Sequence, residues 1–161
     1  MTVVNGLRLA YRGFVTGLAS GYAWLATAML IGALVERDPL VALRPFVEIL
    51  LPASGGSSST AFVLGFALVQ LGAATLGMVF AYFFARFFTT RSTLAIAAPC
   101  FAVLAWALLA TSITRSAGEA LGLAVTPLLA TLAYGLLLGA GLPLRGEVLR
   151  PDAGTGEGMA G

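Results

Sequence analysis

One thiol, Cys100, one amide deep in an apolar stretch, Gln70, and a scatter of hydroxyls are the groups with which the uncharged stretches of this chain could do chemistry. Cys100 has apolar residues on both sides, which predicts a small buried hydrophobe rather than a nucleophile. Ser20, Thr27 and Thr75 have no plausible base, and hydroxyls in membrane helices ordinarily bond a preceding backbone carbonyl. His and Lys are absent, so all 9 positive charges are Arg. That excludes His-ligated haem, a His metal cluster, a His general base, a Schiff base and a phosphate-loop Lys. A single Cys excludes an intrachain disulfide, a CxxC redox pair and a thiolate zinc site. Every Asp and Glu lies outside the apolar stretches, so no carboxylate is placed to work inside them. The expectation is a non-enzyme with no cofactor, no metal site and no nucleic-acid partner.

Gln70 is the most polar side chain far from any charge. Its spacing of three to Ala73 and seven to Gly77 puts it on a helix-packing face, where it is expected to hydrogen-bond a neighbouring helix for about 0.6 to 2 kcal/mol. The alternative use is as lining: with Thr75, Thr126, Thr131 and Tyr134 it could border a passage for a solute, with no ring of charge to select one.

The elements that must position these groups follow from composition. The chain is 59% hydrophobic and 10% charged, against about 25% charged in soluble domains. A bilayer core about 30 Å thick takes about 20 apolar helical residues to cross. Residues 13–35, 60–85, 92–114 and 120–144 meet that test, and every Asp, Glu and Arg lies outside them. The expected fold is all-α: a four-helix transmembrane bundle over residues 1–150, with a short interfacial helix in the first extramembrane loop and a disordered tail at 151–161. In that loop Asp38 and Pro39 form a helix start, and Leu40, Leu43, Val47 and Leu50 share a face, with Pro45 breaking the rod. The Gly/Ser run at 54–59 is a linker; it lacks the Gly-Lys-Ser/Thr ending of a phosphate loop.

Arg8, Arg12, Arg86, Arg91, Arg145 and Arg150 fall on the side of the termini, and Arg37, Arg44 and Arg115 on the other, which places both ends in the cytoplasm. Ala26-Thr27-Ala28 resembles a signal-peptidase site, but the apolar run continues to Val35 and is long enough to be kept as a first span.

Between helices in lipid, small residues allow close approach. Gly13, Gly17 and Gly21, continued by Ala28 and Gly32, mark a seam on the first span. Ala73, Gly77, Ala81 and Ala85 mark one on the second, and Thr131, Gly135 and Gly139 one on the fourth, between Pro127 and Pro143. Pro99 and Pro127 each free a carbonyl one turn earlier. Phe80, Tyr82, Phe83, Phe84, Phe87 and Phe88 next to Arg86 and Arg91 predict an interfacial anchor. Trp24 and Trp106 lie deeper and are expected to meet lipid or a partner subunit. A faint repeat, Tyr22 to Leu30 against Phe101 to Leu109, favours two packed hairpins.

Ala28-Met29-Leu30 closing the Gly-rich first helix, Asp38-Pro39-Leu40 with Leu43-Arg44-Pro45, the segment Gly77 to Ala81, and Tyr134-Gly135 together resemble a group of uncharacterised bacterial four-span membrane proteins, a domain of unknown function. The resemblance implies the four-span architecture and no activity. Members of that group often carry a His in the second or fourth span; this chain has none, and Gln70 could be its non-titrating replacement. The functional expectation is an accessory or scaffold subunit of a larger membrane complex, in contact with lipids and with other subunits or copies of itself; the alternative is a small oligomeric facilitator or channel.

Overall fold

A computed structural model describes residues 3–44, 46–47, 58–117 and 125–143. Among them there is no strand. Four helices follow in order: α1 (Val3–Ile31), α2 (Ser58–Phe83), α3 (Arg91–Ala117) and α4 (Val125–Gly141). Three stretches, Gly6–Val35, Phe62–Phe83 and Arg91–Leu109, are long and apolar enough to cross a membrane. Of the fourth expected span, residues 125–143 are described. α4 has 17 residues, about 26 Å of helix, and its apolar stretch is Thr126–Gly141; residues 120–124 and 144 of the expected span lie outside the described residues. α1 is longer than expected. Its 29 residues, about 44 Å, start well before Gly13, so Arg8 and Arg12 ride on the helix, exposed and one turn apart.

α1 ends in a π-helical turn, Gly32–Glu36, closed by Arg37 in the left-handed conformation at φ 55°, whose N–H bonds the Gly32 carbonyl. The chain then folds back onto the helices. Asp38 Oδ1 accepts the Leu40 N–H at 2.9 Å and its other oxygen pairs with Arg44. The broken rod expected here is a series of turns over 39–43 followed by helical residues at Arg44, Phe46 and Val47. Leu43, 1% exposed, plugs into the space above Gly65 of α2, where a Cβ on the glycine would come within 3.0 Å of it. Phe46 meets the Trp24 ring edge-on at 6.0 Å. The absent side chain at residue 65 leaves the room that Leu43 fills. Leu50, the linker at 54–57 and the tail at 151–161 lie outside the described residues.

α1 packs along α2 on one side and α4 on the other, and α4 packs along α3. Consecutive helices α2 and α3 come close at few points, because aromatic rings hold them apart: Phe101 of α3 sits 5.0 Å from Phe80 and 5.4 Å from Phe84. The α1–α2 seam is set by the predicted small residues. A Cβ at Gly13 would lie 2.5 Å from the Gly77 carbonyl oxygen, one at Gly17 2.5 Å from that of Ala73, and one at Gly77 2.6 Å from the Gly17 Cα, with Ala81 against Gly13. Backbones at such a distance admit no side chain, so the spacing of four fixes which faces meet. The α3–α4 seam works in the same way: a Cβ on Gly135 would meet the Pro99 nitrogen at 2.8 Å, and one on Gly139 the Leu94 carbonyl oxygen at 3.0 Å. At the same end of the hairpin the Arg91 guanidinium donates to the Ala140 and Leu142 carbonyls at 3.2 and 2.9 Å, capping the C-terminus of α4.

Three expectations about apolar surface are corrected. Trp24 and Phe80 are buried by the chain's own helices, whereas Tyr82, Phe83, Phe84 and Phe87 are exposed as an outer collar. Trp106 is half-buried. Cys100 is exposed, not buried: Pro99 takes the contact with Gly135, and the next residue is rotated about 100° outward, onto the face of Ile96 and Leu104.

Candidate functional site

The polar side chains inside the helices lie around Gly21, Gln70 and Thr131. On α1, Ser20 and Trp24 are one turn apart on the face toward α4, and both are buried. Ser20 Oγ donates to its own helix, at the Thr16 carbonyl, 2.8 Å. Trp24 Nε1 donates to Thr131 Oγ1 at 3.2 Å, and that hydroxyl donates onward to the Pro127 carbonyl at 2.7 Å. On α4, Tyr134 reaches across to α2 and donates its hydroxyl to the Ala73 carbonyl at 2.8 Å. Thr126 is buried near the start of α4. Three helices are therefore tied by neutral side chains, which suits a medium that supplies no competing water.

Gln70 departs from this pattern. It is 7% exposed and lies on the packing face, yet neither Nε2 nor Oε1 has a hydrogen-bond partner among the described residues. The expected bond to a neighbouring helix is not formed. The cause is what faces the amide: it lies over Gly21, where a Cβ would come 2.6 Å from Oε1 and 2.7 Å from the Ala73 Cβ. Glycine gives the amide room and offers no side chain to bond it, and the nearby backbone groups are used within α1 and α2.

The five residues that could border a passage are not brought together. Thr75 is exposed on the outer face of α2 and donates to the Leu71 carbonyl at 2.8 Å, while Thr131 and Tyr134 are engaged in helix-to-helix bonds. Gly135 and Gly139 face α3, and Thr131 faces Trp24 of α1, so the stripe on α4 serves two neighbours rather than one. Among the described residues no three His, Cys, Asp or Glu side chains converge as metal ligands. Sequence reasoning missed the Trp24–Thr131 and Tyr134–Ala73 ties. Part of the signal was available, since Ser20 and Trp24 sit at spacing four and Thr131 and Tyr134 at spacing three, but which helix each would meet was not.

No protein-family model, no curated protein and no solved structure matches this chain.

Proposed function

We propose that this chain is a non-catalytic integral protein of a bacterial cytoplasmic membrane, acting as an accessory or scaffold subunit of a larger membrane complex. All four helices cross, as a bundle with both termini cytoplasmic and the 38–47 turns at the opposite interface, in keeping with the resemblance to four-span proteins of unknown function. One observation carries the reading: the polar side chains between helices, Trp24, Thr131 and Tyr134, are spent on tying helix to helix, while large apolar side chains such as Leu7, Val63, Leu71 and Ile96 face outward. That is the division of labour of a rigid apolar building block whose outer surface meets lipid and neighbouring subunits or copies of itself. Nothing in it calls for nucleic acid or a cofactor.

Mild-detergent extraction followed by affinity purification and mass measurement tests this. A stoichiometric membrane partner is expected. Purification of homo-oligomers alone, with saturable solute flux in reconstituted vesicles that Gln70→Leu abolishes, would replace it with the facilitator reading, which the unbonded Gln70 amide favours.

A further inference from the structure

We infer that the outer face of α1 binds an anionic phospholipid, its phosphate held by Arg8 and Arg12 and its acyl chains lying along the apolar residues that continue the same face. Both arginines are exposed on a regular helix, one turn apart, and among the described residues neither has an ion pair or a hydrogen bond. Like charges at that spacing repel, and none of the four helices contains an Asp or Glu to offset them. Arg44 and Arg91, by contrast, are spent on Asp38 and on the carbonyls that end α4. Side chains four apart on a helix stand about 5 to 6 Å from each other at Cβ. One phosphate bridges such a gap when each guanidinium turns its N–H groups toward it.

Depth and pattern point to a lipid rather than a soluble anion. A Cβ on Gly6 would lie 3.4 Å from Tyr82 Cε2, which sets the start of α1 level with the aromatic collar, and such aromatics mark the headgroup region. From Arg8, exposed Arg12, Val15, Ala19, Tyr22 and Ala26 follow at spacings of four, three, four, three and four, a single helix face. The packed sides of α1 lie elsewhere, with Gly13 and Gly17 against α2 and Trp24 against α4. Arg12 and Tyr22 are about 15 Å apart along the axis, the depth of one leaflet in a hydrocarbon core about 30 Å thick. Two cations at the collar and no charge below them match a lipid with a charged head and apolar tails. The inference rests on α1 lying in a bilayer and not on the scaffold reading, so the presence or absence of a co-purifying partner does not bear on it.

The full chain, purified in a neutral detergent, is titrated with phosphatidylglycerol or with phosphatidylcholine of the same acyl chains, and Tm and the lipid adducts seen by native mass spectrometry are followed. Phosphatidylglycerol should raise Tm by several degrees and persist as an adduct. Phosphatidylcholine, whose choline cancels the phosphate charge, should give a clearly smaller response. The double variant Arg8→Gln with Arg12→Gln should lose that difference while its Tm in phosphatidylcholine stays level or rises, because the repulsion between the two charges is gone. Equal responses to the two lipids overturn the inference, and a difference that survives in the double variant does so too, since the lipid then binds elsewhere. A shift of the same size with inorganic phosphate replaces the lipid with a soluble anion. A phosphatidylglycerol response that emerges only after Glu147→Gln, Asp152→Asn and Glu157→Gln overturns the inference as well, with the acidic residues beyond α4 as the occupant of the arginines.

Discussion

Tyr134 and Thr75 each carry a hydroxyl in an apolar helix, and each donates it to a carbonyl at 2.8 Å. The two bonds differ in what they join. Thr75 bonds Leu71 of its own helix on an exposed face, so the helix stands without it. Tyr134 joins α4 to α2, which are not neighbours in the chain. Tyr134→Phe is therefore expected to lower stability in detergent by about 0.6 to 2 kcal/mol, the range of interhelical side-chain bonds. Thr75→Val should stay within about 0.5 kcal/mol, as for surface substitutions. Chemical denaturation of both variants beside the parent checks the pair, and equal losses would place Tyr134 outside the packing network.

Between elements, the α1–α2 seam is decided by glycines whose missing Cβ atoms would collide with the facing backbone. α2 contains its own control. A Cβ at Gly77 would meet the Gly17 Cα at 2.6 Å, whereas one at Gly72 meets nothing within 4 Å. Gly77→Leu is expected to separate the helices and lower Tm by several degrees or prevent folding; Gly72→Leu, which also gains helix propensity of roughly 0.5 to 1 kcal/mol over Gly, should leave Tm unchanged or raise it. Equal thermal shifts in the two variants would count against the seam. Val79, half-buried, would be a poorer control.

For the molecule as a whole, the proposed topology rests on the Arg distribution and on α4 crossing beside the three helices that are long and apolar enough to span a membrane. Among the described residues α4 has a shorter apolar stretch than the other three helices, yet Gly135 and Gly139 seat it firmly on α3 and Trp24 ties it to α1. A helix held on both sides can cross at modest length, since a short span is accommodated by thinning of the bilayer or tilting of its neighbours at small cost. Reporter fusions at Ser57 and at Arg150 should show opposite sidedness, with Arg150 cytoplasmic. The same sidedness for both would leave three crossings and remove α4 from the membrane.

Periodicity and composition determined the helical class, the three long apolar helices and the small-residue faces, because these depend on local pattern: a helix of this hydrophobicity needs few tertiary contacts to form, and glycines at spacing four line up on one side whatever they meet. Tertiary structure alone decided the partners. Gly13 and Gly17 face Gly77 and Ala73, Gly135 faces Pro99, and Trp24 turns inward to Thr131 instead of outward. Cys100 shows the limit most plainly. In a soluble helix an apolar neighbourhood marks the buried face, but in a chain that is apolar all round both faces look alike, and only the contact between Pro99 and Gly135 determines that residue 100 points out. Gln70 shows the converse: its face could be read from spacing, but that it would lie over a glycine with nothing to bond it follows only from how α1 and α2 are set against each other.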